Sequence, residues 1–88
     1  MTWHKARVSK VEAAQSRSLK LNLEFELLSG EHSGNTAKDL VAVNSVFTSC
    51  HKDKLWAALG GAPREGDVLE VFLDKKMNVV FKGYRRAT

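Results

Sequence analysis

Cys50 and His51 stand side by side, and a thiol next to an imidazole is how many nucleophilic centres begin. The segment around them reads as a helix, however. Neighbours on a helix point about 100° apart, so the two side chains cannot pair. Cys50 falls on the apolar side with Phe47 and is expected to be a small buried hydrophobe, while His51 is expected to be solvated or partly buried. Glu24 and Glu26 put two carboxylates on one strand face, which is the pattern of a wet face. Three scattered histidines and a lone cysteine lack metal-ligand spacing, and no glycine-rich phosphate loop occurs. Catalysis, a metal site and a cofactor are therefore not expected.

The pattern that does emerge is rings among cations. Trp3 is flanked by His4, Lys5 and Arg7, and Tyr84 lies between Lys82 and Arg85-Arg86. A single-strand binder needs flat side chains on which bases stack, each contributing about 1–3 kcal/mol, together with cations for the phosphates. Phe72 and His32 are further stacking candidates, and core packing is the competing reading for all four. Phe25, Phe47, Phe81 and Trp56 are expected to pack in the interior. The net charge of +4 is unevenly spread over the 88 residues. Lys5, Arg7, Lys10, Arg17 and Lys20 crowd the start, and Lys75, Lys76, Lys82, Arg85 and Arg86 crowd the end, with an acidic stretch between. Basic ends that meet in space would suit a polyanion.

The elements that must position these groups can be read from periodicity. Leu19, Leu21, Leu23, Phe25 and Leu27 alternate with polar residues, which only a strand can place on one face. Ser29 to Asn35 suits a reversal, and Thr36 to Asn44 reads as the returning strand, with Leu40-Val41-Ala42-Val43 as its buried run. Trp3 to Ala14 reads as an earlier strand, with His4, Ala6 and Val8 on one face and Trp3, Lys5 and Arg7 on the other. A helix over Val8 to Gln15 competes with it. From Asn44 to Leu59 the spacing of Phe47, Cys50, Leu55, Ala58 and Leu59 becomes helical, ended by Gly60-Gly61 and Pro63. Val68 to Leu73 and Val79 to Tyr84 read as two more strands joined by Asp74-Lys75-Lys76-Met77-Asn78, and a basic tail follows.

One domain over residues 1–88 is expected, mainly β: a five-stranded barrel with one helix between strands 3 and 4, the order of the oligonucleotide-binding (OB) fold. Such a barrel binds along its second and third strands, between the first loop and the last. Arg17 and Lys20 fall at the first of these loops, and Lys75 and Lys76 in the other. A small core of this size would gain from self-association, so a homo-oligomer is one expectation. The absence of a secretory pattern and of an apolar run near 18 residues points to the cytoplasm and away from membranes.

The stretch Leu23 to Asn35, with Gly30-Glu31-His32-Ser33-Gly34 between two strands, resembles a hairpin of small OB-fold single-stranded-DNA-binding proteins of phages and mobile elements. Lys82-Gly83-Tyr84 resembles a strand end in the same group, and the likeness spans residues 19–86. It implies sequence-tolerant single-strand binding in replication or recombination, in a host cytoplasm. Bacterial-type members carry an acidic tail where this chain has Arg85-Arg86-Ala87-Thr88, so recruitment through such a tail is not implied. The expected site comprises Trp3, Lys5, Arg7, Arg17, Lys20, Lys75, Lys76, Lys82, Tyr84, Arg85 and Arg86, with single-stranded DNA as partner and RNA left open. The alternative is a small phage-encoded protein–protein module or inhibitor, presenting Asp39, Asp53, Glu65 and Asp67 to a basic partner.

Overall fold

The computed structural model describes residues 2–14, 20–43 and 49–87. Alternation builds most of the strands. In β1 (Thr2–Ala14), Ala6 and Val8 are buried while Lys5 and Arg7 face out, so the strand runs on through the segment where a helix competed. In β2 (Lys20–Leu27), Leu23, Phe25 and Leu27 face in, and in β4 (Val68–Leu73), Leu69, Val71 and Leu73 do the same. The remaining elements are β3 (Thr36–Ala42), α1 (Ser49–Leu59) and β5 (Val79–Arg86). Gly30 and Gly34, at φ +84° and +88°, turn the β2–β3 hairpin where a side chain would be strained.

The strands are antiparallel neighbours in the order β3-β2-β1-β4-β5. β1 pairs with both β2 and β4, and its register slips between Val8 and Lys10. A bulge at this point bends the strand and tightens its twist, which lets one strand serve both halves of a curled sheet. The curl brings the two edge strands together at a parallel bridge between Lys38 and Asn78. The result is a half-barrel with an OB-like fold, its helix placed between the third and fourth strands as expected.

α1 covers the barrel's interior, burying His51, Leu55 and Ala58 with Trp56 and Leu59 packed against the core. Gly60, at φ +76°, ends it, and the Gly61 amide donates to the Trp56 carbonyl at 3.0 Å, a Schellman closure. The helix start expected near Asn44, the packing of Phe47 and the Cys50 side chain lie outside the described residues.

Two expectations about the core are overturned. Leu40, placed in the buried run, is 50% exposed. Consecutive strand residues face opposite ways, so Val41 and Ala37 point inward, Asp39 takes the intervening inward position, and Leu40 must face out. Phe81 is 62% exposed, because β5 does not keep period two. Val71 pairs with Tyr84 and Leu73 with Val79, so two steps along β4 are matched by five along β5. The surplus residues bulge outward and carry Phe81 with them.

Candidate nucleic-acid interface

The outer faces of β1, β2 and β3 form an open groove of about 620 Å³, lined by Lys10, Glu12, Asn22, Glu24, Lys38 and Leu40 among others. Outward positions of adjacent strands build it: Asn22 lies opposite Leu40, and Lys38 opposite Glu24. Asn78, which ends the β4–β5 loop, closes one side. Lys20 stands one outward position beyond Asn22, and Lys75 and Lys76 are exposed in the loop that Asn78 ends. Arg17, expected on the opposite rim, lies outside the described residues.

Charge within the groove is partly cancelled. The Lys10 ammonium lies 3.1 Å from Glu12 and 3.5 Å from Glu24. The hydrogen bond and charge of Glu12, then those of Glu24, hold the Lys10 pKa above its ordinary value. Lys38 has no acidic partner among the described ion pairs and is exposed on the groove wall.

Trp3, Lys5, Arg7 and Arg85 lie on the outer faces of β1 and β5, apart from the groove lining. Trp3 is half-buried and meets Phe72 across the β1–β4 ladder, with ring centroids 5.1 Å apart and planes tilted by 52°. The Arg85 guanidinium sits 4.1 Å from the Trp3 ring centroid and also pairs with Glu70. Lys5 is exposed on the same face, and Arg7 is held by Glu26. Arg86 and Lys82 are exposed on β5. Trp3 and His4 also border a smaller cleft of about 430 Å³, whose other walls include His32 and Lys75. The β4–β5 loop therefore stands between the cleft and the groove.

Tyr84 is a correction. It was expected as a stacking residue but is only 2% exposed, with its ring 5.8 Å from that of Phe25. Position 84 pairs with inward-facing Val71, so the ring fills the barrel. Its hydroxyl donates to Asp39 Oδ2, which also accepts from His51 Nε2 at 2.8 Å. Burial, then the charge and hydrogen bond of Asp39, push the Tyr84 pKa far up. The Lys82 amide donates to His51 Nδ1 at 2.9 Å, so that nitrogen carries a lone pair and Nε2 carries the proton. Both ring nitrogens of His51 and the Tyr84 hydroxyl are thus engaged within the fold, and Asp39 Oδ1 accepts from the Leu40 amide at 2.9 Å. This network ties β3 to β5 through the helix.

Sequence reasoning missed Lys10, Lys38 and Phe81. Outward-facing strand positions would have found the two lysines, and Gly83 beside Lys82 hinted at the bulge that exposes Phe81. Three of the four acids offered for a protein partner have partners within the chain: Asp39 as above, Asp67 by accepting from the Arg64 amide at 2.9 Å, and Asp53 in an ion pair with Lys52 at 3.6 Å. Among the described residues no group of three or more His, Cys, Asp or Glu side chains is placed to hold a metal ion, and no helix is long and apolar enough to cross a membrane. Comparison with models of protein families, with curated proteins and with solved structures gives no match, so any functional reading rests on this geometry.

Proposed function

We propose that the chain binds single-stranded nucleic acid, DNA in the first instance, along the groove across β1, β2 and β3, and that it catalyses no reaction. The observation that carries the reading is the open groove, with Lys38 on its wall, Lys20 one outward position beyond Asn22, and Lys75 and Lys76 in the loop that Asn78 ends. Asn22 and Asn78 add neutral donors and acceptors suited to a strand held without a fixed sequence. DNA, phage origin and a place in replication or recombination are proposed from the resemblance of the Leu23–Asn35 hairpin and the Lys82-Gly83-Tyr84 strand end.

Fluorescence anisotropy of a labelled oligo-dT, titrated at rising salt, tests the reading. Each phosphate neutralised on a single strand contributes about −0.7 to the slope of log K against log salt. Contacts from Lys20, Lys38, Lys75 and Lys76 would give a slope of about −3, and replacing Lys75 and Lys76 by alanine would halve it. Absence of binding at low salt, or binding indifferent to salt, refutes the proposal. Oligo-U competing better than oligo-dT would move it from DNA to RNA.

A further inference from the structure

Phe81, 62% exposed, is held in solvent by defined local structure. The bulge requires Lys82 to adopt φ +62°, a left-handed conformation uncommon for a residue with a side chain. It also requires Gly83, where an added Cβ would lie 2.8 Å from the Val80 carbonyl oxygen and 3.0 Å from that of Phe72. Buried His51 lies under the ring, with centroids 5.4 Å apart and planes 23° from parallel. His51 is itself fixed at both nitrogens, by Asp39 and by the Lys82 amide. The phenyl ring is thus a supported platform with much of its surface open to water.

Phe81 follows three residues after Asn78, which lines the groove. From the Lys38–Asn78 bridge, β3 and β5 run in the same direction, so Leu40 follows two residues later on one side of the seam and Phe81 three residues later on the other. Leu40 and Phe81 are both exposed large apolar residues, and Leu40 also lines the groove. The Lys82 ammonium lies 5.7 Å from the Phe81 centroid, Lys38 stands at the bridge from which the two strands diverge, and Lys75 and Lys76 lie in the loop that leads into β5. An apolar ring with cations beside it fits a ligand that alternates flat rings with negative charges.

We propose that Phe81 stacks on one base of a single strand leaving the groove across the β3–β5 seam, with Lys82 contacting the adjoining phosphate. The inference rests on the function proposed above and adds its main stacking contact, on β5 rather than at Trp3 or Tyr84. Binding of labelled oligo-dT and of heparin, a polyanion without bases, is measured by the full chain and by Phe81→Ala, Phe81→Leu and Phe81→Trp, with melting curves for each. Losing one stacked base weakens oligonucleotide binding about 5- to 150-fold. Phe81→Ala and Phe81→Leu are expected to show that loss with unchanged heparin affinity and melting temperature, and Phe81→Trp to retain wild-type affinity. Wild-type affinity for oligo-dT in Phe81→Ala or Phe81→Leu overturns the inference while leaving the proposed function standing. Equal losses toward heparin and oligo-dT overturn it as well. Failure of the wild-type chain to bind oligo-dT at low salt removes both readings together.

Discussion

Replacing Asp39 by alanine tests whether side chains rather than a backbone ladder close the barrel. Asp39 Oδ2 accepts from the Tyr84 hydroxyl and from His51 Nε2, and both donors are buried. A hydrogen bond to a charged acceptor contributes about 1.5–3 kcal/mol, and a buried donor left unpaired loses its full solvation. Two such donors give a gross loss of about 3–6 kcal/mol. Removing the partly buried carboxylate relieves its own desolvation and lowers the net to about 2–4 kcal/mol. A chain of this length has a total stability of about 4–13 kcal/mol, so the variant stands near the edge of folding. Urea unfolding followed by tryptophan fluorescence reads the change. With a slope of about 1 kcal/mol per molar, the midpoint is expected to fall by about 2–4 M. Tyr84→Phe alone is expected to cost about 1–2 kcal/mol, and the double variant less than the sum, with a coupling of about 1–2 kcal/mol. A loss below about 1 kcal/mol for Asp39→Ala, or strict additivity with Tyr84→Phe, refutes this account of the seam.

The buried phenol also makes stability fall in strong base. The unfolded chain releases the Tyr84 proton near its ordinary value of 10.0, whereas the folded chain retains it to higher pH. Above about pH 10 the unfolded state therefore binds fewer protons, and stability drops by about 1.4 kcal/mol per pH unit through this group. Urea midpoints compared at pH 8 and pH 11 should show a drop that Tyr84→Phe lacks, and equal drops in both chains would discount the burial. Glu24→Gln frees Lys10 from one of its two carboxylates; oligo-dT binding should tighten with a steeper salt slope, and unchanged binding would mean that Lys10 does not meet phosphate. Gly83→Ala forces a Cβ against two carbonyl oxygens and should cost about 1–3 kcal/mol in urea unfolding, whereas a neutral result would speak against the described bulge.

Strand order, the helix and the hairpin were legible in the sequence because each rests on local periodicity. Leu21 to Leu27 alternate without interruption, and the switch to helical spacing before Gly60 is equally local. What escaped was non-local. Gly83 is the one local sign of a surplus of residues against β4, and its size depends on pairing with a distant strand, so simple alternation places Phe81 inward and Tyr84 outward, the reverse of the arrangement observed. Leu40 departs from the expected buried run because Val41 takes the inward position beside it, and only at the strand's end are the neighbours Val41 and Ala42 both buried. The clue was Asp39. A carboxylate at an inward position needs a partner, and the partners lie 12 and 45 residues away, at His51 and Tyr84. The candidate site was legible as a set of cations but not as a surface. Lys20 lies in line with the groove and Lys75 and Lys76 in the loop that Asn78 ends, whereas Trp3, Lys5 and Arg85 lie toward the β4–β5 side of the sheet.

The bulge and the buried network make Phe81 and Gly83 respond differently, although only Lys82 stands between them. A continuous parallel ladder between β3 and β5 would hold the strands about 4.8 Å apart along the whole seam. Among the described residues only the Lys38–Asn78 bridge joins them through backbone, and beyond it the seam is held by Asp39, His51 and Tyr84. Those groups lie beneath the surface, so the ring above them can be exchanged without loosening the strands. Binding and stability should therefore separate at position 81. At position 83 they cannot, because the Cβ meets the backbone that shapes the bulge and sets the Lys82 amide against His51. A platform built this way gains its rigidity from the core and its exposure from the bulge, so a mutation that weakens binding reveals by its stability which of the two it has disturbed.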